Sequence, residues 1–393
     1  MAEEVTDIEE PDDLRALLGD GPMEFPTPTK REFKPWHRPR KQYVRRVQWS
    51  REIGRLARDL KLAEGELRYL TLPGNDLLDV RHIANTICLP HKVKLRYLGF
   101  NTAAMPKAAD QSKLNISQFS ANRMDCIHPE SEVFPGDFRE VGDSNSVPWR
   151  RVRREGPFHV INIDLCGGFA GREKSNGIPN YFKALQAILH NQASSDEDFL
   201  LFITTRMDDD NVADDKKEAL LQLAQQIHDA CEAYASGFAE AWGVPEGDLP
   251  VRVSEFFGAG EAFMMGLTQW IVSHGVEAGL KASVCSFMTY RTGSSGGEDD
   301  IVSLAIRFKP DPFIPADRYG LAGPRAVPEP DSAKLCKQSA AIPRRVRDRV
   351  RVDEILRSQS DEFQRCIEES SMLLGAAGYD PDRYCEWVAQ EGG

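Results

Sequence analysis

The runs "VINI" (160–163) and "FLLFI" (199–203) are near-continuous stretches of apolar β-formers, each followed by a segment of helical period. A strand with one wet face alternates polar and apolar residues. A strand that does not is covered on both faces, as parallel strands are in α/β sheets. The rest of the chain repeats the pattern: a helix over about 40–61, a strand over 67–72, a helix over 76–87, a strand over 94–100, a helix over about 113–126 and a short strand near 132–134. After the strand at 159–163 come a helix over 180–191, the strand at 199–205 and a long helix from about 214 to 241. Strands that alternate with helices require right-handed crossovers and a doubly wound sheet. Beyond a helix around 261–273 the alternation stops, and 282–291 and 301–308 read as two strands joined by a Gly/Ser/acid loop, an antiparallel hairpin that closes the sheet. The expected fold class is therefore α/β: a doubly wound, mostly parallel sheet with a terminal antiparallel β-hairpin, plus N- and C-terminal helical extensions. The expected organisation is an acidic tail (1–29), a basic helical segment (30–66), the α/β domain (67–309), a proline-rich linker (310–332) and a C-terminal helical extension (333–393).

Several classes of function drop out. No apolar run reaches the length of a membrane span, and the first thirty residues are acidic rather than basic and then apolar, unlike a signal peptide. The eight cysteines form no C-x-x-C pair, which speaks against a zinc site and a disulfide framework and for a reducing cytoplasm. "RMDDDNVADD" (206–215) lacks the glycine and the spaced glutamate of a calcium loop and reads as a solvated helix entrance. Neither H-E-x-x-H nor G-x-S-x-G occurs, so hydrolase chemistry has no support.

Charge is unevenly placed along a chain of net charge -12. Residues 1–28 carry nine acids against Arg15 alone, the composition of a solvated tail. From Lys30 to Arg51 the sign reverses, and Arg40, Lys41, Arg45 and Arg46 are interleaved with Trp36, Tyr43 and Trp49. Cations interleaved with flat rings can grip the phosphates of a nucleic acid while stacking on its bases. Equally, Val44, Val47, Ile53, Leu56, Ala57 and Leu60 make the buried stripe of a helix whose wet face is basic. A second cluster, Arg344, Arg345, Arg347, Arg349 and Arg351, opens the C-terminal extension.

Five parallel strands with intervening helices, then a helix and a hairpin, resemble the fold of class I S-adenosylmethionine-dependent methyltransferases over roughly residues 67–309. The resemblance implies S-adenosylmethionine as cofactor and assigns its contacts. In "YLTLPGNDLLDVRHI" the turn at Pro73 and Gly74 passes under the cofactor, with Asp76 capping the next helix. "LRYLGFN" places Asn101 at the ribose, and "VFPGDFREVG" places Asp137 and Phe138 near the adenine. "HVINIDLCGGFAG" ends its strand on Asp164, which matches the leading acid of the loop that holds a target amine, with glycines where that loop has prolines. Asp164 can accept a hydrogen bond from the acceptor nitrogen. Cys166 can instead be a nucleophile, as in pyrimidine C5 methylation, or a small packed hydrophobe. A structural alternative has Asp164 cap the following turn while the glycines permit close packing. Two functions follow: a methyltransferase acting on a nucleic acid or other polyanion, or a scaffold that kept the sheet, lost turnover and binds nucleic acid or protein.

Overall fold

The computed structural model describes residues 29, 30, 32–172, 177–245, 252–256, 258–293, 297–311 and 331–391. The expectations for the acidic tail and for most of the proline-rich linker fall on 1–28 and 312–330, outside the described residues.

Eight strands form one sheet in the order β3-β2-β1-β4-β5-β7-β6-β8. β1 (Glu66–Thr71), β2 (Lys94–Asn101), β3 (Glu132–Pro135), β4 (Val160–Gly168) and β5 (Phe199–Arg206) are parallel. β6 (Leu280–Tyr290) and β7 (Ile301–Pro310) form the antiparallel hairpin, with β7 inserted between β5 and β6. β8 (Val350–Arg351) adds a short parallel edge to β6. This is the doubly wound, Rossmann-like α/β sheet with a closing hairpin that the strand pattern predicts.

Successive residues of β5 explain its unbroken apolar run. Phe199, Leu201 and Ile203 enter one core, while Leu200 and Phe202 enter another on the opposite face. The period of two thus feeds two hydrophobic layers, each sealed from water. The second layer is covered by α1, a continuous helix made of Pro39–Val44, a wide π turn Arg45–Ser50 and Arg51–Asp59. It is also covered by α2 (Leu78–Ile83), continued by a second wide turn at Ala84–Cys88, and by α3 (Gln111–Asn122). The first layer is covered by α4 (Val147–Glu155), α5 (Tyr181–Gln192), α6 (Asp214–Ala230), α7 (Glu232–Trp242) and α8 (Ala259–Glu277). α4 turns Val152 and Trp149 into that layer, and its start is marked by Pro148 in the first turn and by Ser146 Oγ accepting from Trp149 N–H. The single long helix expected over 214–241 is two helices, broken at Cys231. That residue forms a disulfide with Cys336 of α9 (Asp331–Ser339), 105 residues on, so the cysteine spacing hid the one pair the fold makes.

After α9 and α10 (Ile342–Arg347), the chain crosses to the face of α1 as α11 (Val352–Ser358), α12 (Ser360–Ala376) and α13 (Pro381–Glu391). Phe33 packs there with Tyr379, Tyr384 and Trp387, and Lys30 exchanges backbone hydrogen bonds with Gly378 and Asp380. The two terminal extensions thus make one cap over the second layer. His82 of α2 fastens α1 from beneath, with Nε2 at 2.8 Å from Ser50 Oγ. His37 is buried at the other end of the cap, where its backbone carbonyl accepts from Tyr384 Oη.

Burial, reinforced by Arg45, lowers the His82 pKa to about 3, and burial lowers that of His37 to about 4 against the opposing pull of Asp76. An unfolded histidine titrates near 6.5. Above that pH neither state holds the proton and stability is complete; below it the unfolded chain gains protons that the native chain declines. Each histidine should then cost about 1.4 kcal/mol per pH unit, His37 until about pH 4 and His82 until about pH 3. Urea unfolding between pH 7 and pH 4 measures this, and His82→Gln should reduce the slope by the share of one proton. An unchanged slope would refute the assignment.

Candidate active site at the fork of the sheet

In the order β3-β2-β1-β4-β5 the direction of winding reverses between β1 and β4. Open α/β sheets form a crevice at such a reversal, outside the carboxyl ends of the strands. The last pair shared by the two strands is Thr71 with Asn162. Leu72 N–H still reaches the Asn162 carbonyl at 3.3 Å, and then the chains part. β1 turns away through Pro73 and Gly74, while β4 continues beside β5 with a bulge between Asp164 and Gly168. Asn162 and Asp164, two apart, share the face that α1 covers.

α1 lies over this fork. Lys41 Nζ donates to Asp164 Oδ1 at 2.6 Å and sits 4.7 Å from the centre of the Trp49 ring. The lysine side chain is 6% exposed and that of Asp164 24%, so the cation is the more deeply buried partner. Burial lowers the Lys41 pKa, and Asp164 raises it back. Asp164 Oδ2 has no hydrogen bond among the described residues. Beside the pair, Asp79 Oδ2 accepts from Thr71 Oγ1 and from Tyr69 Oη, and Tyr69 Oη accepts from Asn162 Nδ2 at 2.9 Å. Burial raises the Asp79 pKa, with those two hydroxyls opposing the shift. Along the chain this network shows only as polar residues in strands otherwise apolar.

The expected cofactor contacts meet at the same edge but are largely committed to one another. Pro73 O accepts from Asn101 Nδ2 at 2.9 Å, and Asn101 Oδ1 accepts from Ala103 N–H at 2.7 Å. Gly74 faces open space, with nothing within 4 Å of an added Cβ. Asp76 does not cap α2: Leu77, at φ 50, stands at that helix start without a side-chain cap, and the Asp76 carboxylate binds Lys30 and Tyr379 Oη instead. Both oxygens of Asp137 accept from Arg139. Phe138 is buried in the first core, 6.3 Å from Tyr181. The edge is thus open at Gly74, while Asn101 Nδ2 is shared between Pro73 O and Asn75 Oδ1 and the carboxylates of Asp76 and Asp137 are engaged by Lys30, Tyr379 and Arg139.

β4's end answers the question its glycines pose. An added Cβ on Gly168 would lie 1.8 Å from the Asn211 carbonyl oxygen, so this glycine serves close packing; on Gly167 it would meet nothing within 4 Å. Cys166 is exposed at the crevice. The protein around its sulfur and the Asp164 charge raise its pKa against Lys41, away from the thiolate a nucleophile needs.

The expectation of a solvated basic face is corrected. Arg40, Lys41, Tyr43 and Arg45 are buried. Arg40 clamps Asp353 at 3.1 Å and the Arg291 carbonyl at 2.6 Å. Arg46 lies over the Tyr43 ring and pairs with Glu362 and Glu369 of α12. Trp36, 48% exposed, is the member of the predicted set that faces water. The helix turns its cations inward because the C-terminal extension brings acids to meet them. Among the described residues no group of three or more His, Cys, Asp or Glu could hold a metal ion, and no helix is long and apolar enough to cross a membrane.

With this geometry in hand, the family is decided by a match over nearly the whole chain. The PP_RS20740-like family model covers residues 30–389. The chain belongs to the PP_RS20740-like family. No curated protein matches. Among solved structures, Trm1 from Pyrococcus horikoshii in complex with S-adenosyl-L-methionine is similar at 12% identity and a TM-score of 0.34, over 71% of this chain and 56% of that one. This chain thus spans little more than half of that protein, and a likeness at this level says nothing of site or substrate.

Breaking a buried pair from one side leaves the other charge unpaired, at a cost of about 3–5 kcal/mol. Because Lys41 is the deeper partner, Asp164→Asn should destabilise more than Lys41→Met in urea unfolding, and the double variant should recover part of the loss. Equal, additive losses would mean that the pair is not coupled. At the bulge, Gly168→Ala should cost about 1–3 kcal/mol through overpacking, while Gly167→Ala leaves the unfolding midpoint unmoved.

Proposed function

We propose that this protein is an S-adenosylmethionine-dependent methyltransferase whose acceptor is held at the carboxyl end of β4. The observation that carries the reading is the fork itself: a reversal of winding between β1 and β4, with Asp164 placed just past the last shared pair. The closing hairpin and the open space at Gly74 support it. In this reading Asn101 meets the ribose, and Asp164 Oδ2 accepts a hydrogen bond from the acceptor N–H or O–H. Bound there, the cofactor supplies an electrophilic methyl group, so the protein's share of the work is alignment. Lys41 fixes the Asp164 carboxyl through its other oxygen.

A scaffold without turnover is the second reading. It is favoured by the engagement of Asp137 with Arg139 and of Asp76 with Lys30 and Tyr379. Titration calorimetry with S-adenosylmethionine separates the two. Methyltransferase function predicts saturable heat, weakened about tenfold in Asn101→Ala, the worth of one hydrogen bond. Absence of heat and of any thermal shift at millimolar cofactor would leave the scaffold.

A further inference from the structure

Among the described residues, one buried cation of the basic segment, Arg45, has no ion pair or side-chain hydrogen bond. Arg45 follows Lys41 by one helical turn and so projects from the same face of α1 toward the sheet. It is 6% exposed. Unlike Arg40, Lys41 and Arg46, its guanidinium makes no ion pair or hydrogen bond among the described residues, and its Nε is buried without a partner. The groups acting on it most strongly are Asp164 and Asp79, then the hydroxyls of Tyr290 and Tyr384. Asp164 already serves Lys41, and Asp79 already accepts from Thr71 and Tyr69. Tyr384 Oη is spent on the His37 carbonyl. Tyr290, at the end of β6, is buried within the electrostatic reach of Asp164, Arg45 and Cys166, and its hydroxyl has no hydrogen bond among the described residues. On the shared face of β4, Asn162 Oδ1 is a further buried atom without a partner.

A guanidinium buried without a counter-charge is costly unless something completes it. Lys41, one turn away, adds a second positive charge and takes the Asp164 carboxylate in direct contact, which leaves Arg45 without an ion pair. Arg45 Nε is the donor of this group left buried without a partner.

We propose that Arg45 is the floor of an oxyanion subsite: it receives a carboxylate or phosphate group of the ligand held at the fork, with the Tyr290 hydroxyl as a second donor. Asn162 Oδ1 and Asp164 Oδ2 then accept from N–H or O–H groups next to that anion. The inference deepens the methyltransferase reading by naming an anionic group that the crevice selects. That group has two sources, the methionyl carboxylate of the cofactor or an anion on the methyl acceptor. It recognises one anion inside the protein rather than a run of phosphates on its surface.

The test is on the full chain without cofactor first. Phosphate and acetate are titrated against chloride at constant ionic strength, reading the thermal midpoint and the ¹⁵Nε resonance of Arg45. The proposal predicts saturable stabilisation by one of the two anions and a saturable shift of that resonance. Arg45→Gln should weaken the anion by about 10- to 100-fold, as expected for a charge-assisted hydrogen bond, and Arg45→Lys should restore part of it. Exposed Arg347→Gln serves as control and should change nothing. A wild-type protein that shows neither saturable stabilisation nor a resonance shift overturns the subsite, as does Arg45→Gln with unchanged anion affinity. If Arg45→Gln does not fold, the wild-type resonance decides alone. A second arm compares S-adenosylmethionine with 5′-methylthioadenosine, which lacks the carboxylate. Discrimination that Arg45→Gln abolishes assigns the subsite to the cofactor; discrimination it leaves intact, with small-anion binding lost, assigns it to the acceptor. Because the first arm contains no cofactor, the subsite and the methyltransferase reading can fail separately.

Discussion

A lysine ammonium that is almost wholly buried has to be met by a carboxylate, and that requirement joins two parts of the chain 123 residues apart. Lys41 sits on a helix that precedes the sheet, and Asp164 lies where β4 leaves its pairing with β1. Each constrains the other. The helix cannot slide along the sheet without stranding a charge, and the end of β4 cannot close over the fork without displacing the lysine. The Trp49 ring, 4.7 Å from Nζ, holds the ammonium from the other side. The position of α1 follows from this pair together with the apolar stripe of Val44, Trp49, Ile53 and Leu56 beneath it.

The same logic extends outward through the cap. Arg40 holds Asp353 and the backbone after β6, Arg46 holds Glu362 and Glu369, and Lys30 holds Asp76 and the backbone around Tyr379. The C-terminal helices are thus counter-charge and apolar cover for a segment at the other end of the chain. Loss of that cover would expose Arg40 and Arg46 and loosen the roof over Asp164. Stability of the extensions and geometry of the site are therefore one property.

The fold was legible because its signals are repetitive. β4 and β5 are apolar on both faces, and the hairpin carries its own Gly/Ser/acid loop, so sheet and closure follow from the period of two and from length. The site was legible in part: Asn101 ends β2 as expected, whereas β4 does not end on Asp164 but runs on beside β5 to Gly168, because a strand that has left one neighbour keeps pairing with the other. What was not legible depends on partners distant in sequence. Asp76 looked like a helix cap, yet Lys30 and Tyr379, brought by the cap, compete for it and win. Asp79, three residues on, turns inward to Tyr69 and Thr71, two strand residues whose approach no local pattern announces. The disulfide between Cys231 and Cys336 and the burial of Arg40, Lys41 and Arg45 are likewise tertiary facts with no local signature.

The basic segment shows why composition misleads at this point. Cations interleaved with aromatics have the same sequence whether they meet phosphates in solvent or carboxylates in the interior. What separates the cases is where the matching negative charge resides. Here Asp353, Glu362 and Glu369 lie on helices that pack over α1, so charge neutralisation is internal and needs no polyanion. Tyr43 is then not a stacking platform in water but a buried surface beneath Arg46, whose apolar stem and planar head it covers. Once the buried pairs of Arg40, Lys41 and Arg46 have been matched, a buried cation left beside them is informative in a way the whole cluster is not. Arg45 is that residue. A cluster of nine bases over 30–51 says only that counter-charge is needed somewhere, whereas one guanidinium left unmatched on the inner face of the fork says where a ligand's charge belongs.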